Sequence, residues 1–382
     1  MIITVGLIVN PVAGLGGRLA QKGSDAADIR DLAMRAGIES LALKRAEQAV
    51  TRLLEGLDPE TVTIRIRAGA NDLGSNALGT KIAHESIAST AIHPGNSSSE
   101  DTKSIAHNMA DAGVDLLLFA GGDGTARDIL DAIGTNITVL GIPAGVKIYS
   151  GVFGLTPVET GALAAGWLAD ANRRSDEREV VDIDEDKLRR GLATPSLYGT
   201  LRVPLDNRRL QPRKSGSPAS DANAARSLGL AFSATMIPNR HYVLGPGSTT
   251  MAIGEALNME LTRLGVDVVY NGQLVAEDVD ADTLEALIPA EGATIVVTPL
   301  GQQGFVIGRG NQQIDYRVLQ RSELKIVATP SKMISLGGRP LWVDSGDPEL
   351  DATLCGYTRV FTGAKAEVIY PISNTADSQV RA

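Results

Sequence analysis

Continuous hydrophobic runs alternate with amphipathic stretches along the first part of the chain. Residues 2–9 form a run that is apolar except for Thr4, which predicts a fully buried strand of a parallel sheet. Apolar residues between 43 and 54 recur at the spacing of one helix face, and residues 62–66 alternate as a strand does. Residues 97–113 begin with serines and acidic residues and end in glycine, which predicts a capped helix.

The alternation of predicted strands and helices continues after residue 113. An apolar strand at 115–120 runs into the glycine turn GGDGT at 121–125, and a helix with a buried apolar face follows. A further strand at 137–140 leads into the loop GIPAGVKIYSGVFGLTP. Alternation of strands and helices at this spacing predicts a doubly wound α/β domain through about residue 165.

The second half of the chain has a different pattern. Residues 166–235 are less regular, and 208–226 combine turn formers and charges with almost no large apolar residues. We therefore predict a connecting segment at 166–235 that contains a flexible surface loop at 208–226. Short strands are predicted beyond it, at 242–244, 266–270, 294–298 and 325–328 and near the C-terminus. This pattern favours a second, β-rich domain over residues 236–382, after a first domain over residues 1–165.

Composition and charge narrow the function classes. Aromatic residues make up only 4% of the chain, so the core must consist of Ala, Val, Ile and Leu, as in α/β layers. The net charge of −9 argues against non-specific nucleic-acid binding. Cys355 is the single cysteine and cannot form an intrachain disulfide. No basic leader precedes the first apolar run and no run approaches about 18 residues, so we expect a cytoplasmic chain without a membrane span.

The turn GGDGT is the strongest chemical signal. A glycine turn between a strand and a helix presents backbone N–H groups that can cradle phosphate oxygens. Asp123 stands between glycines, so its carboxylate can approach a phosphate or an acceptor hydroxyl without crowding. We therefore predict a kinase that is not of the Walker type, with Asp123 as its base. The alternative is a turn aspartate that bonds its own backbone. The spacing of Thr125 and Asp128 favours a structural capping box.

Two more glycine loops follow predicted strands, and ligands in open α/β sheets bind at that end. The loop NPVAGLGG at 10–17 lacks the third glycine of a dinucleotide fingerprint and the Lys-Ser/Thr end of a P-loop. In the loop GPGST at 245–249, the serine can cap a helix. An ordinary strand-to-helix loop is the alternative for both. The ligand contacts predicted here are Asn10, Gly14, Gly16, Gly17, Gly245, Gly247, Ser248 and Thr249.

Polar side chains in other loops are further candidates. Lys147 and Ser150 follow the strand at 137–140, and the lysine can neutralise phosphate charge unless it is simply solvated. Arg309 stands between two glycines, where its guanidinium can bind phosphate in a bidentate manner. Asn311 and Gln312 can hydrogen-bond an amide, a ribose or a base edge. Simple loop polarity is the alternative for these last three residues.

Taken together, these motifs resemble the ATP–NAD kinase family, in particular its longer, AcoX-like branch. The matching segments, in family order, are NPVAGLGG, SEDT, DLLLFAGGDGTARD, GIPAGVKIYSGVF, GPGSTT, TPLGQQGFVIGRGNQQI and WVDSGDPELD. The turn GGDGT alone also resembles that of diacylglycerol, sphingosine and phosphofructokinase-type kinases. The chain departs from the family at Thr250 and Met251, where alanine and tyrosine are familiar, and at VKIYS, where an Asn-Glu pair is usual.

The resemblance implies an α/β domain like that of NAD kinase and phosphofructokinase, followed by a β-rich substrate-binding domain. It implies phosphoryl transfer from ATP or another phosphate donor to the adenosine ribose 2′-hydroxyl of NAD, giving NADP. Asp123 would act on that hydroxyl, and Gly121, Gly122, Gly124 and Thr125 would contact phosphates. Mg²⁺ would enter with ATP, so no dedicated metal ligands are predicted. The expected partners are ATP with NAD or a small hydroxy compound, in a homo-oligomer without nucleic acid or membrane.

Two other functions stay open. An AcoX-like kinase of a small hydroxy metabolite would phosphorylate that compound and leave NAD unchanged. A catalytically silent nucleotide-binding regulator would bind ATP or NAD without turnover, and Asp123→Asn would leave its behaviour unaltered. A lipid kinase is less favoured because the sequence has no apolar or basic stretch for docking to a membrane.

Overall fold

The computed structural model divides the chain into two compact units. It describes residues 2–15, 41–88, 98–144, 148–182, 196–205, 219–300, 303–364 and 366–374. Among these residues, unit 1 extends to residue 205 and unit 2 begins at residue 219. Across the same ranges, every helix is too short or too polar to cross a membrane.

The described part of unit 1 contains a parallel sheet of five strands. These are β1 (Ile2–Val9), β2 (Thr63–Gly69), β3 (His84–Ile87), β4 (Leu116–Gly121) and β5 (Val139–Pro143). Their spatial order is β3-β2-β1-β4-β5, and every neighbouring pair is parallel. The central strands β1 and β4 are almost wholly buried, because helices cover both faces of such a sheet. The α/β fold predicted for this half is confirmed.

Helices connect these strands. They are α1 (Ala42–Glu55), α2 (Ser75–Leu78), α3 (Ser99–Asp111), α4 (Asp123–Ile133) and α5 (Pro157–Ala169). The N-cap of α3 is Ser98, whose N–H and hydroxyl both donate to Oδ2 of Asp101 at 2.8 and 3.2 Å. This reciprocal cap confirms the helix start that the serine and acidic residues predict.

An antiparallel hairpin completes unit 1. It consists of β6 (Ser175–Asp182) and β7 (Ser196–Pro204). The hairpin approaches α4 closely, since a Cβ on Gly199 would lie 2.6 Å from Cδ2 of Leu130. Its first strand also contacts the end of the sheet, where the hydroxyls of Ser175 and Thr138 lie 3.2 Å apart. The first part of the predicted connecting segment therefore belongs to unit 1.

The described part of unit 2 contains a mixed sheet of eight strands. Its strands are β8 (His241–Leu244), β9 (Asp267–Tyr270), β10 (Gln273–Ala276), β11 (Thr294–Val297), β12 (Glu323–Val327), β13 (Leu341–Val343), β14 (Gly356–Gly363) and β15 (Ala366–Asn374). The spatial order is β10-β9-β8-β11-β12-β14-β15-β13, parallel from β8 to β14 and antiparallel in the two flanking hairpins. The β-rich second half predicted from the sequence is confirmed.

Helices pack on this second sheet. They are α6 (Ala219–Ser233), α7 (Ser248–Ala256), α8 (Ala281–Leu287), α9 (Tyr316–Leu319), α10 (Pro330–Ser335) and α11 (Pro348–Leu354). Helix α6 corrects one expectation, because residues 219–226 of the predicted flexible loop at 208–226 are helical. The turn formers were misleading there, since four alanines, which favour a helix, stand among the polar residues at 219–226. Residues 206–218 lie outside the described residues.

Candidate active site

The turn GGDGT joins β4 to α4 with no intervening loop. The strand ends at Gly121, Gly122 is the N-cap of the helix, and Asp123 is its first residue. A Cβ on Gly121 would collide with the side chain of Thr125, so only glycine fits where the strand meets the helix. Negative charge in a first helical turn is favourable, which suits a carboxylate at this position.

The predicted capping box of Thr125 and Asp128 is wrong, because the helix starts earlier. With Gly122 as N-cap, Thr125 lies within the first turn and is buried. Its Oγ1 accepts a hydrogen bond from Nδ2 of Asn10 at 3.0 Å. The side chain therefore links the two glycine loops of unit 1, and its contact with phosphate stays a prediction.

The carboxylate of Asp123 is held by the backbone of another loop. Its Oδ2 accepts from the N–H of Tyr149 at 2.8 Å, and its Oδ1 accepts from the N–H of Ser150 at 2.9 Å. Burial raises the pKa of Asp123, while these hydrogen bonds and the positive charge of Arg127 oppose that rise. A carboxylate has about four acceptor positions. The two backbone bonds and the side-chain hydrogen bond from Ser150 therefore orient the group and leave acceptor capacity on the carboxylate.

Ser150 supports this arrangement from within the core. Its side chain is fully buried, and its Oγ accepts from the N–H of Val181 in β6 at 2.9 Å. The residue thus positions Asp123 and is itself fixed by the hairpin, so a direct contact with a cofactor stays a prediction. Lys147, from the same loop, lies outside the described residues.

The loop after β1 is tied to α4 through Asn10. The side-chain oxygen of Asn10 accepts from the N–H of Val12 at 3.1 Å, which closes a local turn. Gly14 has a φ of +81°, and a Cβ there would lie 2.5 Å from the carbonyl oxygen of Ala144. Gly16 and Gly17 lie outside the described residues.

A polar pocket of about 370 Å³ opens beside this turn in unit 1. Four segments line it: the loop after β1, Leu73 in the turn after β2, the start of α3 and the first turns of α4. The lining residues are Asn10, Pro11, Val12, Leu73, Ser98, Ser99, Thr102, Gly124, Arg127 and Asp128. Two helix N-termini with their partial positive charge converge here, and Arg127 adds a full charge. The donor set is suited to phosphate groups.

In unit 2, the glycine loop at 245–249 likewise connects the end of a strand, β8, to the start of a helix, α7. Gly247, with a φ of +139°, is the N-cap of α7, so the predicted cap at Ser248 is wrong. A Cβ on Gly247 would collide with the methyl group of Thr298. The ammonium of Lys332 donates to Oγ1 of Thr298 at 3.0 Å and lies 3.4 Å from that of Thr249. Contacts of Gly245, Gly247, Ser248 and Thr249 with a cofactor stay predictions.

The polar loop that contains Arg309, Asn311 and Gln312 is held by contacts between its own residues. Arg309 is buried, with its guanidinium carbon 4.2 Å from the ring centre of Phe305. The Asn311 amide accepts from the N–H of Gly308 at 2.9 Å, and it donates to a carbonyl within the same loop at 2.8 Å. These bonds hold the Asn311 amide within its own loop. Ligand contacts of Arg309, Asn311 and Gln312 stay predictions.

Sequence reasoning missed several of the lining residues, notably Ser98, Thr102 and Arg127. The serine and threonine lie at the start of α3, which comes close to the turn GGDGT only in the folded chain. Arg127 has a local signal, since it follows Asp123 by four residues and so shares one face of α4.

Comparison with known families covers most of the chain. The model of the ATP-NAD kinase N-terminal domain matches residues 5–171, and the model of the ATP-NAD kinase C-terminal domain matches residues 239–372. The first range contains every residue that lines the pocket, and the second contains the glycine loop at 245–249. No curated protein and no solved structure matched the chain.

Proposed function

The chain belongs to the ATP-NAD kinase family, and from this membership we propose that it phosphorylates the adenosine ribose 2′-hydroxyl of NAD, giving NADP. Membership makes the protein a kinase-type phosphotransferase. The identity of the acceptor, the use of ATP as donor and the assignment to the longer AcoX-like branch are parts of the proposal.

The orientation of Asp123 carries this proposal. Two backbone N–H groups fix its carboxylate at the start of α4, directly before Gly124 of the polar pocket. In the proposed reaction the acceptor oxygen forms a bond to the terminal phosphorus of ATP, and the bond from that phosphorus to ADP breaks. The hydroxyl proton passes to Asp123 and then to solvent. Catalysis otherwise depends on positioning and charge stabilisation.

The pocket beside Asp123 is the proposed site of the donor phosphates. The N–H groups at the starts of α3 and α4 and the guanidinium of Arg127 would bind phosphate oxygens. The carboxylate of Asp128 and the hydroxyls of Ser98 and Thr102 are oxygen ligands of the kind that Mg²⁺ accepts. A bound Mg²⁺ would neutralise phosphate charge, and Asp128 is the carboxylate placed to hold it.

A kinase of a small hydroxy compound is the second candidate. The observation in its favour is the loop where the family usually has an Asn-Glu pair. Here Tyr149 and Ser150 occupy that region, and their backbone holds Asp123. The first-turn threonine Thr250, where alanine is familiar, donates to the carbonyl of Gly247 at 2.8 Å. Both departures bear on the acceptor, whereas the turn GGDGT is retained.

The test is direct identification of products. Purified protein is incubated with ATP, Mg²⁺ and a panel of NAD, NADH and small polyols, and the products are identified by mass spectrometry. We expect NADP, and we expect Asp123→Asn to lower turnover by at least about 100-fold because it removes the base. Asp111→Asn, at the exposed end of α3, is the control and should retain full turnover.

Three results would contradict this proposal in different ways. A phosphorylated polyol with unchanged NAD would establish the second candidate. Nucleotide binding without any product would indicate a silent regulator. Undiminished turnover of the Asp123→Asn protein would remove Asp123 from the role of base.

A further inference from the structure

The charged side chains of α4 form a row along one face of the helix. Asp123, Arg127 and Asp131 follow one another at intervals of four residues, the spacing at which helical side chains are neighbours. Arg127 lines the polar pocket and interacts electrostatically with Asp123. Arg127 therefore stands one helical turn from the proposed base and one turn from a second carboxylate, at the edge of the pocket.

An aromatic ring from the hairpin lies near the guanidinium of Arg127. The guanidinium carbon of Arg127 lies 6.0 Å from the ring centre of Tyr198 in β7, within the range of a cation–π interaction. The hydroxyl of Tyr198 donates to Oδ1 of Asp131 at 2.8 Å. The other oxygen of Asp131 lies 3.4 Å from Nζ of Lys103 in α3. The ring is thereby anchored to both helices that line the pocket.

The backbone of the hairpin is held in place as well. Gly199, the residue after Tyr198, lets β7 approach Leu130 of α4 more closely than a side chain would allow. The hydrogen bond to Asp131 raises the pKa of Tyr198, in keeping with a phenol that donates to a carboxylate. Tyr198 lies between the two matched family regions, so family membership assigns it no role.

We propose that Arg127 binds the phosphates of a nucleoside polyphosphate in this pocket and that Tyr198, anchored by Asp131, is a positioning residue for its guanidinium. The inference rests on the proposed function for the identity of the ligand. A planar guanidinium binds two phosphate oxygens at once only when its orientation is fixed. The ring of Tyr198 and the carboxylate of Asp123 limit the rotamers open to the arginine.

Equilibrium binding provides a test that needs no turnover. Isothermal titration of the full chain with MgATP, inorganic tripolyphosphate and adenosine is compared for wild type, Arg127→Met and Arg127→Lys. We expect Arg127→Met to weaken MgATP and tripolyphosphate about 10- to 100-fold, the loss of charge-assisted hydrogen bonds. Adenosine binding should not change. Arg127→Lys should recover part of the affinity, and Arg52→Met in α1 is the control for loss of an arginine.

The role of Tyr198 is tested by coupling. Tyr198→Ala should weaken MgATP about 2- to 5-fold in the wild-type background and have no further effect in the Arg127→Met background. Tyr198→Phe, which keeps the ring and loses the bond to Asp131, should have a smaller effect. Tyr357→Ala, an exposed tyrosine in β14 of unit 2, is the control.

Each result has a defined meaning. Full affinity of a folded Arg127→Met protein for tripolyphosphate, or failure of the wild type to bind any of the phosphate compounds, would overturn the assignment of Arg127. Additive effects of the two substitutions would overturn the positioning role of Tyr198. The expected pattern in a protein that leaves NAD unphosphorylated would support this inference and reject the proposed acceptor, so the two failures are distinguishable.

Discussion

At the scale of single residues, the orientation of Asp123 depends on a loop 26 residues further along the chain, whose backbone N–H groups bind both carboxylate oxygens. The sequence predicts the carboxylate because GGDGT is a local signal. It cannot predict Tyr198, because that contact exists only once the hairpin packs on α4. The side chain of Asn311, a predicted ligand contact, also closes its own loop, since a buried amide needs partners for both ends.

The pH dependence of turnover is a residue-scale prediction. Asp123 must be ionised to accept a proton, and burial raises its pKa above that of an exposed aspartate. We therefore expect kcat/KM to fall as the pH decreases through this raised pKa. Arg127 opposes the rise, so Arg127→Met should move the acidic limb to higher pH. The measurement is the pH profile of kcat/KM for wild type, Arg127→Met and the Asp111→Asn control. Coincident acidic limbs in all three would contradict the prediction.

At the scale of elements, glycines decide how closely neighbouring helices pack. The sequence predicts α1 and α4 from their apolar spacing and α3 from its capping residues, because both are local properties. The pattern does not show that α6 begins within residues 208–226, because residues 219–226 are alanines and polar residues without an apolar stripe. A glycine lets α1 and α5 pack closely, since a Cβ on Gly161 would collide with the carbonyl oxygen of Ala49.

Replacing either of two glycines of α5 by alanine should therefore change the free energy of unfolding, in opposite directions. Gly161→Ala forces α1 and α5 apart, and we expect it to lower the free energy of unfolding by about 1–3 kcal/mol. Gly166→Ala, one of the exposed positions of the same helix with nothing within 4 Å of the added methyl group, should raise it by about 0.5–1 kcal/mol. Urea unfolding followed by circular dichroism measures both changes. Equal effects of the two substitutions would refute close packing as the cause.

At the scale of the whole molecule, the fold class follows from the sequence more readily than the sheet orders do. Apolar runs such as β1 and β4 indicate strands buried on both faces, and hence a parallel sheet. The eight-stranded sheet of unit 2 has short strands that pair with strands distant in the chain, such as β13 with β15. The hydrophobic pattern of the sequence does not show which strands pair. Contacts between distant segments also create the pocket, which is why only Asn10 and Gly124 of its lining were predicted as ligand contacts.

Ligand binding should protect one unit selectively. If the donor phosphates bind in the pocket of unit 1, MgATP should slow amide hydrogen exchange at the starts of α3 and α4, within residues 98–105 and 122–130. The paired strands β14 and β15 of unit 2 should exchange at the same rate with and without MgATP. Mass spectrometry of peptic peptides gives both rates in one experiment. Protection confined to unit 2 would place the nucleotide elsewhere.

The hydrogen bond from the Val181 N–H to Ser150 has a consequence for protein engineering. A chimera that carries only the five-residue GGDGT turn in a foreign scaffold would contain Asp123 without the backbone N–H groups that orient its carboxylate. The graft would also need the loop of Tyr149 and Ser150 and the hairpin that immobilises it. The smallest transferable module is therefore spread over three separate stretches of chain.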